Sequence, residues 1–247
     1  MSAFSHGAGG SGFIADLAAS VGRGEVGLRS LATAAGTVGE APAGFVRWLA
    51  ETACDADSVR GIVARSYWHP NGFAKLVLHT SIDPEFKIRM HVWPASEAPR
   101  RGETNPHSHR WEFASTLIAG QGILMAEYLE VTEGGEPFTR HLYGTNPADP
   151  ALLVADGATR LVDATAPGLS RGGVYACGTD IVHTAEPLGE RLTATVVVQG
   201  PHRTSTTTVF RPPGETGDQP NRPLSAEDFR QLVSAVVTEV RECSSRC

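Results

Sequence analysis

Apolar residues recur at helical spacing in the first quarter of the chain. A first helix is predicted by the apolar set Phe13, Ile14, Leu17, Ala18 and Val21. Gly22 is a plausible end to this helix, Pro42 predicts the start of another, and Asp57 can cap a third. Internal glycines leave residues 22–40 undecided. We expect residues 13–66 to form a helical layer packed outside a β-barrel.

The pattern changes to short apolar and alternating runs after the turn sequence His69-Pro70-Asn71-Gly72. The predicted strands are 73–80, 86–94, 107–118, 122–131, 137–142, 151–155, 158–165, 173–176, 181–186, 191–199 and 206–210. Strands 107–118 and 122–131 flank Gly120-Gln121-Gly122, which predicts a hairpin. Many short strands in one region are typical of a sandwich or barrel. Residues 67–211 are therefore expected to form the β-barrel.

The two ends of the chain differ in character. Residues 212–247 contain a Pro/Gly-rich loop and one amphipathic helix, with Ser225 and Asp228 as a capping box. The apolar stripe of this helix is Phe229, Leu232, Val233, Val236, Val237 and Val240. We expect it to pack on the barrel or on a second subunit, so a homodimer is possible. Residues 1–12 are rich in Gly, Ser and Ala and lack signal-peptide features, which predicts a flexible tail.

Composition narrows the class of protein. A chain of 247 residues can bury one sizeable core. Its net charge of −6 argues against nucleic acid or an anionic membrane as a partner. The chain has no run of about 18 apolar residues, so no membrane-spanning helix is expected. The four cysteines Cys54, Cys177, Cys243 and Cys247 are few and irregularly spaced, which favours reduced thiols in the cytoplasm.

The sequence His107-Ser108-His109 carries the strongest chemical signal. If both histidines lie on predicted strand 107–118, they point to the same face with Cα atoms roughly 6.6 Å apart. That spacing lets both imidazoles bind one ion at about 2.0–2.1 Å. Trp111 and Phe113 share this face, which indicates that it points inward.

These features resemble the cupin superfamily. Gly102, His107, His109 and Gly120 are similar to its first motif, and the segment from Cys177 to His183 is similar to its second. The resemblance covers about residues 67–200. It implies a mainly β, cupin-type small β-barrel (a double-stranded β-helix), here with an N-terminal helical layer and a C-terminal helix. It also implies His183 as a third metal ligand.

Within the cupins, the chain looks most like the cysteine dioxygenase (thiol dioxygenase) group. The general first motif has a Glu ligand where this chain has Phe113 or Ala114. Glu112 comes one position early and would face away on a regular strand, although a β-bulge could make it a ligand. The thiol dioxygenases also lack this Glu and bind iron through three histidines. They carry a Ser-His-Tyr set after the third histidine, which is absent from residues 193–202, so simple cysteine dioxygenase activity is not implied.

Other residues are candidates for the wall of a cavity. Residues 86–93 alternate, with an apolar face opposite a face that carries Arg89 and His91. If that second face is interior, Arg89 could bind a substrate carboxylate bidentately and His91 would line the cavity. Lys75 lies near the position where the thiol dioxygenases carry a carboxylate-binding Arg. Further candidates are Tyr175, Cys177 and Gln199.

These observations support a mononuclear non-haem iron oxygenase. It would use Fe(II) and O2 on a small, anionic or amino-acid-like substrate. The candidate ligands are His107, His109, His183 and Glu112, and the candidate catalytic residues are Arg89, His91 and Tyr175. Two alternatives stay open. Zn, Mn or Ni could support isomerase or lyase chemistry with Glu112, Tyr175 or His91 as acid or base, or the barrel could bind a ligand without catalysis.

Overall fold

A computed structural model describes residues 11–22, 24–95, 103–143, 153–215 and 221–244. The tail expected at residues 1–12 therefore lies almost wholly outside the described residues, as do Gly102 and Cys247. The described helices are α1 (Ser11–Val21), α2 (Leu28–Glu40), α3 (Pro42–Cys54), α4 (Ala56–Val63) and α5 (Ala226–Ser244). None of them is long and apolar enough to cross a bilayer.

The helix ends follow the predicted signals with one correction. α1 ends at Gly22, whose φ of 84° is a conformation that favours glycine. The Ser225 amide donates to the Asp228 carboxylate (2.8 Å) and the Asp228 amide donates to the Ser225 hydroxyl (3.0 Å), which confirms the capping box. α4 is capped by Asp55, which accepts the Ser58 amide at 2.8 Å. The prediction of Asp57 as this cap is wrong, because Asp57 already lies inside the first turn.

The strands form two antiparallel sheets. The strands are β1 (Tyr67–His69), β2 (Phe73–Ile82), β3 (Glu85–Trp93), β4 (Glu103–His107), β5 (Trp111–Ala119), β6 (Ile123–Leu124), β7 (Glu127–Val131), β8 (Glu136–Tyr143), β9 (Leu153–Thr165), β10 (Gly168–Leu169), β11 (Val174–Cys177), β12 (Val182–Pro187), β13 (Thr193–His202), β14 (Thr207–Arg211) and β15 (Arg222–Pro223). The seven-stranded sheet has the order β11-β5-β13-β3-β2-β1-β15. The eight-stranded sheet has the order β10-β6-β12-β4-β14-β8-β9-β7, and β7 also pairs with β12, which closes this sheet on itself.

The helices cover one face of the seven-stranded sheet. Each of α1 to α5 contributes apolar side chains to a core shared with the outward residues of β2, β3 and β13. Ile88 and Met90 of β3 are fully buried in this core, whereas Arg89 and His91 point to the opposite face, toward the second sheet. The expected mainly β architecture, with an N-terminal helical layer and a C-terminal helix, is thereby confirmed.

Several strand predictions need correction around the first motif. Predicted strand 107–118 is interrupted, since β4 ends at His107 and β5 begins at Trp111. The predicted hairpin between 107–118 and 122–131 is wrong, because β5 pairs with β11 and β13 whereas β6 pairs with β10 and β12 of the other sheet. Gly120 and Gly122, with φ of 108° and 158°, carry the chain from one sheet to the other. Predicted strands 151–155 and 158–165 meet in the single strand β9.

Replacing Gly120 with Ala is expected to destabilise the protein by about 1–3 kcal/mol. A Cβ at Gly120 would lie 2.7 Å from Thr193 Oγ1 and 3.0 Å from Thr193 Cα, on a backbone with φ of 108°. Urea unfolding followed by circular dichroism measures the change. Gly44→Ala is the matched control, because a Cβ there meets nothing within 4 Å. This helical control should be neutral or stabilising, and equal stability of the two variants would contradict the argument.

Candidate functional site

Three histidines meet between the two sheets. His107, the last residue of β4, lies directly opposite His183 of β12 in the antiparallel register. Opposed residues of neighbouring antiparallel strands carry their side chains on the same face. His109 follows in the connection from β4 to β5. The ring centroids of the three imidazoles are 4.8–5.1 Å apart.

This arrangement corrects the basis of the sequence prediction. His107 and His109 do not share a strand, so strand alternation does not bring them together. Their convergence depends on the chain leaving β4 immediately after His107. Regular strand geometry instead explains the proximity of His107 and His183, which lie opposite each other on neighbouring strands.

The donor set has the dimensions of a metal site. One ligand nitrogen from each histidine lies within 4.8 Å of the others. The Nε2 atoms of His109 and His183 are 2.9 Å apart. Two imidazole nitrogens held at right angles about 2.0–2.1 Å from one ion are separated by about 2.9 Å. The three histidines therefore fit a single divalent ion, although 2.9 Å also fits a hydrogen bond between two imidazoles.

The surroundings fix the tautomer of His107. Its Nδ1 lies 3.0 Å from the carbonyl oxygen of Asn105. A carbonyl oxygen only accepts, so Nδ1 carries the proton and Nε2 is left as a lone-pair donor. A backbone carbonyl on the second nitrogen is a common support for a metal-binding histidine.

Ser108 anchors the segment between the first two histidines. Its hydroxyl lies 2.9 Å from the hydroxyls of both Thr207 and Thr208, and it also accepts the Thr208 amide at 3.0 Å. The Ser108 amide donates to the Thr208 carbonyl at 3.0 Å, and the Thr207 hydroxyl donates to the Ser108 carbonyl. β14 thus holds the connection that presents His109.

Glu112 is not brought to the three histidines. Its carboxylate lies 3.5 Å from the Arg203 guanidinium, on the face of β5 opposite Phe113. The metal-type cluster of the described residues contains histidines alone. The Phe113 ring instead packs against His109 and His183, at centroid distances of 5.0 and 5.6 Å. An apolar ring therefore occupies the position expected for a carboxylate ligand.

Tyr175 packs on the third histidine. Its ring stacks on that of His183 at 5.8 Å and its hydroxyl donates to Glu127 at 2.9 Å. Burial raises the pKa of Tyr175 far above its usual value, with the neighbouring Cys177 and Glu127 adding to the effect. Burial likewise raises the pKa of Cys177 to about 12. Both side chains are therefore neutral at physiological pH.

A cavity of about 960 Å³ lies between the two sheets and includes the three histidines. The candidates Lys75, Arg89 and His91 all line it, and Lys75 and His91 are direct cross-strand neighbours. Gln199 occupies the next inward position of β13 after Val197 and is 1% exposed, but it does not line this cavity. The polar face of β3 thus forms part of the cavity wall.

Sequence reasoning missed Arg110 and Glu127, and it placed Trp111 on the inward face without assigning it to the cavity wall. Arg110 and Trp111 line the cavity, with the Trp111 ring 5.5 Å from that of His109. Their place directly after the motif was a usable signal. Glu127 lies opposite His183 in the register of β7 and β12, a long-range pairing that local sequence patterns do not reveal.

Comparison with known proteins finds partial structural likeness only. No family model and no curated protein sequence matches the chain. Oxalate oxidase in complex with glycolate matches 56% of this chain and 55% of its own, at 12% identity and a TM-score of 0.33. This chain thus spans about half the length of that protein.

Two further solved structures have smaller chains. KdgF from Halomonas sp. matches 53% of this chain and 82% of its own, at 12% identity and a TM-score of 0.29. The nucleoside dehydratase Pac13 matches 60% of this chain and 88% of its own, at 12% identity and a TM-score of 0.31. These neighbours are cupin-fold proteins, and at this distance they carry no inference about substrate or reaction.

Replacing either His107 or His183 with Ala is expected to abolish stoichiometric binding of a divalent metal, because two remaining imidazoles form a much weaker site. Metal content after reconstitution and dialysis is the measurement. His141→Ala is the matched control, since His141 also contacts a backbone carbonyl through Nδ1 (3.1 Å) but belongs to β8 and lies outside the cluster. Full metal content in His183→Ala would identify the 2.9 Å contact as a hydrogen bond only.

Proposed function

We propose that this protein is a mononuclear non-haem iron oxygenase of the cupin type, acting with O2 on a small anionic substrate. The observation that carries the proposal is the convergence of three imidazole nitrogens with no carboxylate in the cluster formed by the described residues. Three neutral ligands leave the full charge of a divalent ion in place and leave coordination positions open. Bound Fe(II) would supply oxygen chemistry at those positions.

The role proposed for His107, His109 and His183 is to hold this ion. His183 is 2% exposed, and Phe113 and Tyr175 pack against its ring. These aromatic walls exclude water from one side of the site and strengthen electrostatic interactions inside it. Tyr175 stays protonated and directs its hydroxyl to Glu127, so it is assigned a positioning role.

The role proposed for Arg89 is to bind the anionic group of the substrate. Its guanidinium carbon lies 5.0 Å from the centre of the Trp111 ring, and that ring is 5.5 Å from the ring of His109. A single aromatic ring therefore lies between Arg89 and the candidate metal ligands. Lys75 and His91 extend the same cavity wall.

The substrate is expected to be larger than a single small amino acid. Ligand pockets usually have volumes of about 300–1,000 Å³, and this cavity is at the upper end of that range. β13 offers Thr195, Val197 and Gln199 on its inward face, not the Ser-His-Tyr set of the thiol dioxygenases. We therefore propose that the protein shares the three-histidine donor set of the thiol dioxygenases but not their substrate.

Non-redox chemistry on Zn, Mn or Ni is the second candidate, and it has fewer suitable residues. The acid or base would be Glu112, Tyr175 or His91. Glu112 contacts Arg203 on the other face of β5, and the raised pKa of Tyr175 makes it a poor base at neutral pH. His91 is the member of this set that lines the cavity, and histidine is a common general acid or base.

Iron-loaded protein is expected to consume O2 in the presence of an organic anion from a panel of thiols, amino acids, keto acids and larger aromatic carboxylates. An oxygen electrode and mass spectrometry of the products are the measurements. Zn-loaded protein and iron-loaded His107→Ala should consume no O2 above background. Turnover that proceeds equally without O2, or equally well with Zn, would refute the oxygenase proposal in favour of the non-redox one.

Removing the positive charge of Arg89 is expected to raise KM for that substrate by about tenfold or more, the usual cost of a lost charged hydrogen bond. The effect on kcat should be smaller, because the metal ligands are untouched. Arg60→Gln is the control, since Arg60 pairs with Asp57 on the surface of α4. An Arg89→Gln variant with unchanged KM would remove Arg89 from the proposed substrate site.

A further inference from the structure

Three basic side chains, Arg89, Arg110 and His202, lie against Trp111, and the two arginines line the cavity. The guanidinium carbons of Arg89 and Arg110 lie 5.0 and 5.9 Å from the centre of the Trp111 ring. The ring of His202 lies 5.1 Å from the same ring. Lys87 is the next residue on the same face of β3 as Arg89.

The sheet register explains why these side chains meet. His202 pairs with Trp111 across β13 and β5, while Val197 and Gln199 pair with Arg89 and Lys87 across β13 and β3. Arg110 belongs to the connection that also presents His109, and its carbonyl accepts the amides of Arg203 (2.7 Å) and Thr204 (3.2 Å). Backbone hydrogen bonds thus fix β3, β5, β13 and the connection, so the positions of these basic residues are set by the fold.

Burial and the neighbouring positive charges act on the basic side chains of this group. Burial lowers the pKa of Lys87, with Arg89 and Arg110 lowering it further. Burial also lowers the pKa of His202, followed by the effect of Arg110. Of the described residues, Glu85 is the acid that opposes both shifts.

Two other carboxylates, Glu112 and Glu215, contact residues outside this basic group. Glu112 faces away from the cavity and contacts Arg203. Glu215 lines the cavity and accepts a hydrogen bond from the Asn105 amide at 3.2 Å. Clustered like charges raise the free energy of a folded protein unless an anion lies among them.

Trp111 orients two arginines in a way that suits anion binding. Arg89 and Arg110 both lie over its ring and both line the cavity. Stacking on an aromatic ring restricts a guanidinium group, so less conformational entropy is lost when its N–H groups bind an anion. Arg110 also lies over the ring of Tyr143 at 5.6 Å, which restricts it further.

A buried amide of β13, next to this basic group, adds a second observation. Gln199 is 1% exposed, and neither its Oε1 nor its Nε2 has a hydrogen-bond partner among the described residues. It lies opposite Lys87 in the register of β13 and β3. A buried amide without partners is unfavourable, so a polar group or water molecules beside it are favoured.

We propose that Arg89, Arg110 and Trp111, with Lys87 and His202 at their side, form a subsite for a doubly charged oxyanion. Its occupant is a phosphate group or a pair of neighbouring carboxylates at one end of a cavity ligand. Arginine forks match both groups because two oxygens of a phosphate, or of one carboxylate, can accept two parallel N–H bonds from one guanidinium. That this ligand is the substrate rests on the proposed function. Anion binding itself requires no metal.

Calorimetric titration of the metal-free full-length protein tests the subsite, with inorganic phosphate, malonate and acetate as probes. The doubly charged probes should bind saturably and more tightly than acetate, and the affinity should fall as salt is raised. Arg89→Gln and Arg110→Gln should each weaken binding by about tenfold or more. The ratio of phosphate to malonate affinity identifies which of the two oxyanions the subsite prefers.

Two matched variants separate this inference from the oxygenase proposal. Arg60→Gln removes an exposed arginine and should leave phosphate and malonate binding unchanged. His107→Ala removes a candidate metal ligand and should also leave it unchanged. Absence of saturable binding, or full binding in the Arg89→Gln/Arg110→Gln double variant with a native circular dichroism spectrum, overturns the subsite. Neither result depends on whether the iron-loaded protein consumes O2.

Discussion

The antiparallel pairing of β4 with β12 is the constraint on which the candidate site depends. It sets His107 directly opposite His183, so two imidazoles share a face without any local sequence signal linking them. β14 pairs with the other edge of β4 and holds Ser108, which fixes the route of the chain toward His109. A strand register is specified wherever one face is buried, because a shift of one residue would turn every side chain to the other face. The geometry of the three histidines is therefore a property of the whole closed sheet.

In the seven-stranded sheet, side chains alternate between a face that packs on the helices and a face that lines the cavity. One face of β3 carries Ile88 and Met90 into the core beneath the helices, and the other carries Arg89 and His91 into the cavity. The helical layer keeps the sheet in place by burying its apolar face, and the cavity face is left for polar chemistry. This division explains how basic side chains come to line the interior of a small barrel.

Residue type and short-range period predicted a mainly β fold and the alternating faces of β3, and the family resemblance added His183 to the two histidines of the first motif. Sequence reasoning also placed His107 and His109 on one strand and expected a hairpin at Gly120, and both predictions were wrong. Whether a strand continues, or crosses to another sheet, is decided by partners distant in the sequence. Glu112 was expected to face away from the histidines, and its carboxylate contacts Arg203 instead of joining their cluster. Glu127 was missed because its position opposite His183 is set by tertiary pairing.

Charge balance connects the two ends of the cavity. Neutral imidazoles leave a bound divalent ion without a compensating ligand charge, and Arg89 and Arg110 add positive charge one aromatic ring away. Glu215 is the acidic residue among the described residues that line the cavity, and it hydrogen-bonds Asn105. An anion bound in the cavity would add negative charge beside both groups. An anion that reaches both the arginines and the histidines would relieve the repulsion at both places, so its binding and that of the metal should reinforce each other.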